Sequence, residues 1–400
     1  MNLAAFIVPA FILFVLLEYW QAKRKGRSDI YVYESPVSNM SIGIAERLLS
    51  FLITGSFYAL FTFLYDHYRL FSISTHWIVW ILLILATDLV WYWYHRLGHE
   101  INLFWAAHIV HHQSEEFNYT ASARITIIQA IVRNLFWCIL PLIGFHPAMV
   151  ITILVVHGAY AFFTHTQLIG KLGWLESIFI TPSLHGVHHA SNEKYLNKNY
   201  GDIFVFWDKW FGTFQAEEEK PVYGLTHPLK SHSFLWQHFH YFMELIEACR
   251  RSGSIWKSVL IIFGRPESVD QNIRKALESK WLPGRRLIKS SFRFKVYVNM
   301  QLVASLTALF FFTLYFKRLD HFEIAFQVAL VLFTLVNCGA LLEQHRWIFS
   351  LEIVRLILLF GFFSYIQHSV VMFCTSLVLI LMVSSFDKVE RWYYKLVYDV

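Results

Sequence analysis

Residues 77–112 read WIVWILLILATDLVWYWYHRLGHEINLFWAAHIVHH. An apolar run leads without a break into His95 and His99, an HxxxH pair, and nine residues later into His108, His111 and His112, an HxxHH triplet. A membrane span needs about 20 residues at 1.5 Å each to cross a hydrocarbon core of about 30 Å. On a helix, positions i, i+3 and i+4 share a face, so each set is expected to point its imidazoles into one cavity. The stretch reads as a membrane helix whose end delivers metal ligands.

Beyond an apolar hairpin come His165 and a second HxxHH, His185, His188 and His189. Nine imidazoles exceed what one metal accepts, so two ions are the economical reading. Imidazole suits iron, copper, zinc or nickel, and ligand type alone does not choose among them. Structural zinc usually takes cysteine, and Cys138, Cys249, Cys338 and Cys374 are scattered, with no CxxC pair. An HExxH protease motif fails because position 103 is leucine. The Glu-x-x-His pattern of soluble di-iron bundles is absent too.

Other histidines carry less. His67, His76, His146, His321, His345 and His368 are expected to be surface or capping residues. His227, His232, His238 and His240 have no box spacing and read as surface. His157 lies two helical turns before His165 inside an apolar segment; it is carried as a candidate metal ligand, with a core hydrogen bond as the alternative. Asp88, seven residues before His95, either orients a ligand imidazole or pairs with another span.

The whole chain fits a membrane setting. Its 400 residues are 56% hydrophobic and only 16% charged, against about a quarter charged in soluble chains. That excludes a soluble enzyme, a disordered tail and a fibrous protein. Apolar stretches run over 3–20, 45–65, 74–94, 127–145, 148–165, 297–316, 324–344 and 351–385, the last long enough for a hairpin of two passes. The net charge of +6 reads as topology rather than nucleic-acid binding. Basic segments at 22–44, 165–295 and 388–395 fall on one side, which the positive-inside rule makes cytoplasmic. The fold class expected is an all-α, multi-span membrane bundle with a cytosolic histidine-rich metal cap. Its parts are N-terminal spans (1–72), a di-metal core of spans and histidine boxes (73–220), a cytosolic or interfacial helical segment (221–295) and C-terminal spans (296–400). Breaks are expected at Gly253, Gly264–Pro266 and Pro283–Gly284. The stretch from Phe234 to Arg251 either lies on the headgroup surface or packs on its own domain.

Over about residues 84–216 the chain resembles the membrane fatty-acid hydroxylase and sterol desaturase superfamily, and within it the alkylglycerol monooxygenase family. The residues that carry the resemblance are Trp93–Arg96 through Glu100, Trp105–His108 with His111 and His112, Asn118, Thr120–Arg124, and His165–Thr166. They continue with Thr181–Ser183, His185, Val187–His189, Lys198–Gly201, Trp207–Asp208 and Phe211–Thr213. The resemblance implies two iron ions, O2 as co-substrate, and attack on an unactivated C–H bond of a lipid. In the alkylglycerol branch the carbon lies beside an ether oxygen, and electrons come from tetrahydrobiopterin. No segment here reads as a pterin site and no cytochrome b5 motif is fused, so the electron donor is external. By match, Glu100, Asn118, Arg124 and Asn199 join Asp88 as candidate catalytic or ligand-supporting residues, while Trp207 and Asp208 close a turn. Alternatives within the enzyme class are a sterol desaturase, a C4-methyl oxidase and a fatty-acid hydroxylase. Outside it stands a histidine-rich metal transporter, which would want carboxylates along a midplane path.

Overall fold

The computed structural model describes residues 2–282, 290–344, 347–367, 370–382 and 386–398; His345, His368 and the Pro283–Gly284 break lie outside them. The described elements are helical, with two isolated β-bridges and no strand among them. In chain order they are α1 (Ile7–Arg24), α2 (Glu34–Tyr68), α3 (Trp77–Glu100), α4 (Asn102–His108), α5 (Ile127–Trp137), α6 (Ile139–Ile143), α7 (Pro147–Thr164) and α8 (Pro182–His188). Then follow α9 (Phe206–Trp210), α10 (Phe234–Ser252), α11 (Ile255–Ile262), α12 (Gln271–Trp281), α13 (Phe292–Tyr315), α14 (His321–Leu342), α15 (Ile348–Gln367), α16 (Val370–Met382) and α17 (Phe386–Tyr398). Six of them, α1, α2, α3, α7, α13 and α14, are long and apolar enough to cross a membrane. The expected 351–385 hairpin divides into α15 and α16.

Local chemistry explains where the site-bearing helices start. The His76 and His146 side chains accept the backbone N–H of Ile78 and Ala148, capping α3 and α7, which satisfies donors a helix start leaves free. Pro147 and Pro182 open α7 and α8 with a preset φ. Thr181 caps α8 through Leu184 N.

One expected boundary was wrong by a third of a helix. α2 begins at Glu34, not near 45. Its first turns bury Ser38, Asn39, Ser41 and Glu46 together with Val37, Ile42 and Ile44. These polar residues interrupt the apolar pattern because they face protein rather than lipid. Gly43 lets α2 approach so closely that an added Cβ would lie 2.6 Å from the Ala123 Cβ. α2 is thus half scaffold for the histidine boxes and half membrane helix.

Two apolar clusters flank the site. Phe61, Leu83, Trp137, Leu140, Met149 and Ile153 fill the space between α2, α3 and α5–α7. A second cluster joins α2, α10, α13 and α14. The surface assignment of His240 is corrected: it is fully buried. It lies on the inner face of α10 with Trp236, Gln237, Tyr241 and Glu244, the i, i+4 rows of an amphipathic helix. This face of α10 therefore packs on its own protein.

Candidate metal centre

Four segments bring the nine box histidines together. The last turns of α3 carry His95 and His99, and α4 ends on His108. A 3₁₀ turn, Ile109–Gln113, presents His111 and His112. His165 follows α7, while α8 holds His185 and His188 with His189 just after it. All nine are 2–8% exposed. They form two groups: His95, His99, His108, His112 and His188, and His111, His165, His185 and His189. Within each group the candidate donor atoms all lie within 4.8 Å of one another. The groups share a wall, where the His112 and His189 rings stack with centroids 4.4 Å apart.

This corrects the expectation that each box fills one cavity. The i, i+4 partners stay together, His108 with His112 and His185 with His189, while His111 and His188 cross to the opposite group. Every HxxHH box is divided between both positions.

The ring orientations suit metal binding. His95 Nδ1 lies 2.9 Å from the Tyr200 carbonyl, His165 Nδ1 2.6 Å from that of Ala161, and His188 Nδ1 2.8 Å from that of Lys198. A carbonyl can only accept, so each Nδ1 holds the proton and each Nε2 keeps a free lone pair. The Nε2 atoms of His95, His99, His188 and His189 are buried without a hydrogen-bond partner, a costly arrangement that a metal would relieve. No described cysteine joins either group. Such a set of neutral imidazoles fits iron.

Burial and neighbouring imidazoles hold His108, His111, His112, His185, His188 and His189 well below the ordinary histidine range, and burial pushes His165 down to about 4. These rings are neutral in the fold but protonate in the unfolded chain below about pH 6.5. Proton uptake on acidification thus favours the unfolded state. Metal-free protein is expected to keep its stability above about pH 6.5 and to lose it steeply towards about pH 4. Melting temperature of iron-stripped protein across that window checks this; a flat profile would contradict the buried neutral cluster.

Gln129, which the sequence reading missed, stands 2.9 Å from His108 Nδ1. The atom at that distance is the Gln129 amide nitrogen, with Gln129 Oε1 left buried and unpartnered; turning the amide over would bring Oε1 to His108 Nδ1 as the acceptor that a His108 offering Nε2 to a metal requires. Its place on α5, a short helix running between the first two boxes and His165, was the available signal. Gln129→Leu is expected to weaken iron retention or turnover by about 10–100-fold, measured as iron lost to a chelator over time.

The remaining candidates hold the scaffold of the groups. Asp88 touches no box imidazole; it accepts the backbone N–H of Ile203 and Phe204 and the Trp207 indole at 2.9–3.0 Å. His157 is not brought to the nine; its Nδ1 lies 2.6 Å from Asp202 and 3.8 Å from Asp88. Together they pin the loop that supplies the Tyr200 carbonyl to His95. In that loop Gly201 has no room for a side chain: a Cβ would lie 2.7 Å from the Phe204 carbonyl oxygen. Asp208 closes the same turn, accepting Tyr200 N, Gly201 N and Thr213 Oγ1. Asn199, at φ 53°, donates to the Leu184 and Gln215 carbonyls. Arg124 is buried and donates to the Val110 carbonyl, between His108 and His111, and to Asn39, Gln113 and Gln237. Asn118 donates to the Ile30 carbonyl and accepts from Thr120. Glu100 pairs with Arg96 at 2.9 Å on the half-buried rim.

A family profile described as fatty acid hydroxylase matches residues 80–213, the stretch that holds all nine histidines. Alkylglycerol monooxygenase of Homo sapiens is 32% identical over 363 residues, 87% of this chain and 79% of the relative. The enzyme of the same name from Danio rerio is 29% identical over 380 residues, 90% and 82% of the two chains. Ornithine lipid hydroxylase OlsE of Rhizobium tropici is 32% identical over 124 residues, 31% of this chain and 38% of the relative. No solved structure matches. With a relative aligned along most of both chains and the family domain lying over the histidine boxes, the protein belongs to the fatty acid hydroxylase family, in its alkylglycerol monooxygenase group.

Proposed function

We propose that this membrane lipid monooxygenase works through two iron ions, one in each histidine group, and that its substrate is an ether lipid. The observation that carries the reading is the convergence of nine buried imidazoles from four separate segments into two adjoining donor sets. Relatives named for alkylglycerol oxidation, aligned along most of the chain, support the substrate class. Bound iron would supply dioxygen activation, so that one oxygen atom enters a C–H bond while the other leaves as water with two electrons and two protons from an external donor. Tetrahydrobiopterin is the donor we propose.

The protein's own residues set the conditions for that chemistry. Backbone carbonyls fix His95, His165 and His188 so that each Nε2 would be free for a metal. Tyr94, its ring 6.4 Å from that of His108, joins the boxes to Trp137 and Trp91 of the apolar cluster between α2, α3 and α5–α7, and we take this apolar side as the one the alkyl chain approaches. Hydroxylation at the carbon beside the ether oxygen gives a hemiacetal. Its C–O bond breaks as the hydroxyl proton passes to the departing oxygen, leaving a fatty aldehyde and glycerol. We place the centre on the cytoplasmic side, where the basic segments lie. Family membership favours oxygenation over metal transport.

Purified protein in lipid nanodiscs, given a 1-O-alkylglycerol, O2 and reduced pterin, is expected to release fatty aldehyde and to hold about two irons per chain. Aldehyde formed with another reductant but not with pterin would overturn the donor. Oxidised sterol or hydroxylated fatty acid in place of aldehyde would overturn the ether-lipid assignment. Zinc alone after expression with ample iron would overturn the iron centre.

A further inference from the structure

The helical hairpin α10–α11 lies outside the residues matched by the family profile. α11 (Ile255–Ile262) has no buried residue, although six of its eight positions are Ile, Trp, Val or Leu. Ile255 is 87% exposed, Trp256 69% and Leu260 57%, and Phe263 just beyond is 59% exposed. An apolar face of this kind is not sustained in water. Leu235, Phe239 and Ile246 continue it along α10, at spacings that share one helix face.

The position of this face relative to the bilayer is fixed by Asn102. Its side-chain amide donates to the Ile261 carbonyl at 2.7 Å and the Arg265 carbonyl at 3.2 Å, and its backbone N–H donates to the Gly264 carbonyl at 2.9 Å. Tyr241 Oη of α10 donates to Asn102 Oδ1 at 2.5 Å. Asn102 stands two residues past Glu100, where the membrane helix α3 ends. A segment bonded there sits at the depth where α3 leaves the bilayer. Arg250, Arg251 and Lys257 border the apolar face, against Glu247 as the acid paired with both arginines. Apolar residues rimmed by cations suit the boundary between acyl chains and anionic headgroups. We propose that α11 is an in-plane membrane anchor, seated in an anionic leaflet at the rim of the metal centre and tied through Asn102 to the helix that carries His95 and His99.

Trp256 reports on this directly. Subtracting the emission of Trp256→Phe protein from that of the unchanged protein isolates this indole among the tryptophans. In nanodiscs whose lipids carry bromine on the upper acyl chain, the isolated emission is expected to be blue-shifted and to fall by about half. Replacing part of the phosphatidylcholine with phosphatidylglycerol should deepen the quenching, and that increment should vanish when Arg250, Arg251 and Lys257 are all changed to Gln. Water-like, unquenched emission would overturn the anchor. Blue-shifted but unquenched emission, confined to discs holding two copies, would assign the face to a second copy and overturn it as well. Equal quenching in both lipids would overturn the anionic preference. The readout needs neither iron nor turnover, so it stands apart from the di-iron reading.

Discussion

His188→Ala is expected to abolish aldehyde formation and to lower bound iron from about two per chain to one or none, with the protein still inserted in the membrane. The ring sits at the centre of its group, with centroid distances of 4.3 Å to His95, 4.9 Å to His99 and 4.8 Å to His112. Its Nδ1 is held by the Lys198 carbonyl, so no rotation of a neighbour replaces the lost Nε2. Loss of an outer partner of a ligand typically costs 10–100-fold; loss of the ligand itself should exceed about 100-fold in turnover. His240→Ala is the matched control. It removes another buried imidazole, one whose ring bonds the Trp236 carbonyl, and should lower stability while leaving iron content unchanged. Metal analysis and product assay on the two variants side by side decide the matter. A His188→Ala protein that keeps two irons and turns over would remove this ring from the metal.

The second large effect is expected at Asp202→Ala. His157 and Asp202 are both almost wholly buried and 2.6 Å apart. Removing one partner leaves the other uncompensated in a low-dielectric interior, at a cost of about 3–5 kcal/mol. Replacing both with leucine removes the stranded group and should recover most of that loss, because buried pairs often give way to apolar residues without penalty. The double variant therefore separates stability from function. Asp88 would still hold Ile203 and Phe204, so the loop should close and His95 keep its carbonyl partner. Denaturant midpoints of the three proteins in one detergent test this. A single variant as stable as the parent would show that the pair bears no such weight.

The nine candidate ligands were legible because imidazoles repeated at three- and four-residue intervals survive any shift of helix boundary. Their division between two positions was not. Both boxes keep the i, i+4 pair together, His108 with His112 and His185 with His189, and hand the i+3 ring, His111 or His188, to the neighbouring group, a choice that spacing alone does not make because i+3 and i+4 lie on the same helix face. His157, carried as a ligand or a core hydrogen bond, stands apart from the nine for another reason. Its position near the midpoint of α7 gave no hint that Asp202, in a loop 45 residues away, would claim it. Loop carboxylates carry no periodic signal. The start of α2 was obscured because Ser38, Asn39 and Ser41 look like solvent-facing residues unless the segment they pack against is known. Histidine on α10 was misread because box spacing was the criterion, and His240 belongs to an inner helical face instead.

Division of each box has a consequence for assembly. Filling the first position would draw His108 and His112, or His185 and His189, into fixed geometry, and the same short turn would then present His111 or His188 to its neighbour already aligned. Half-loaded molecules would be rare. A preparation averaging one iron per chain would be a mixture of full and vacant copies, resolvable by native mass spectrometry as two populations with little between them.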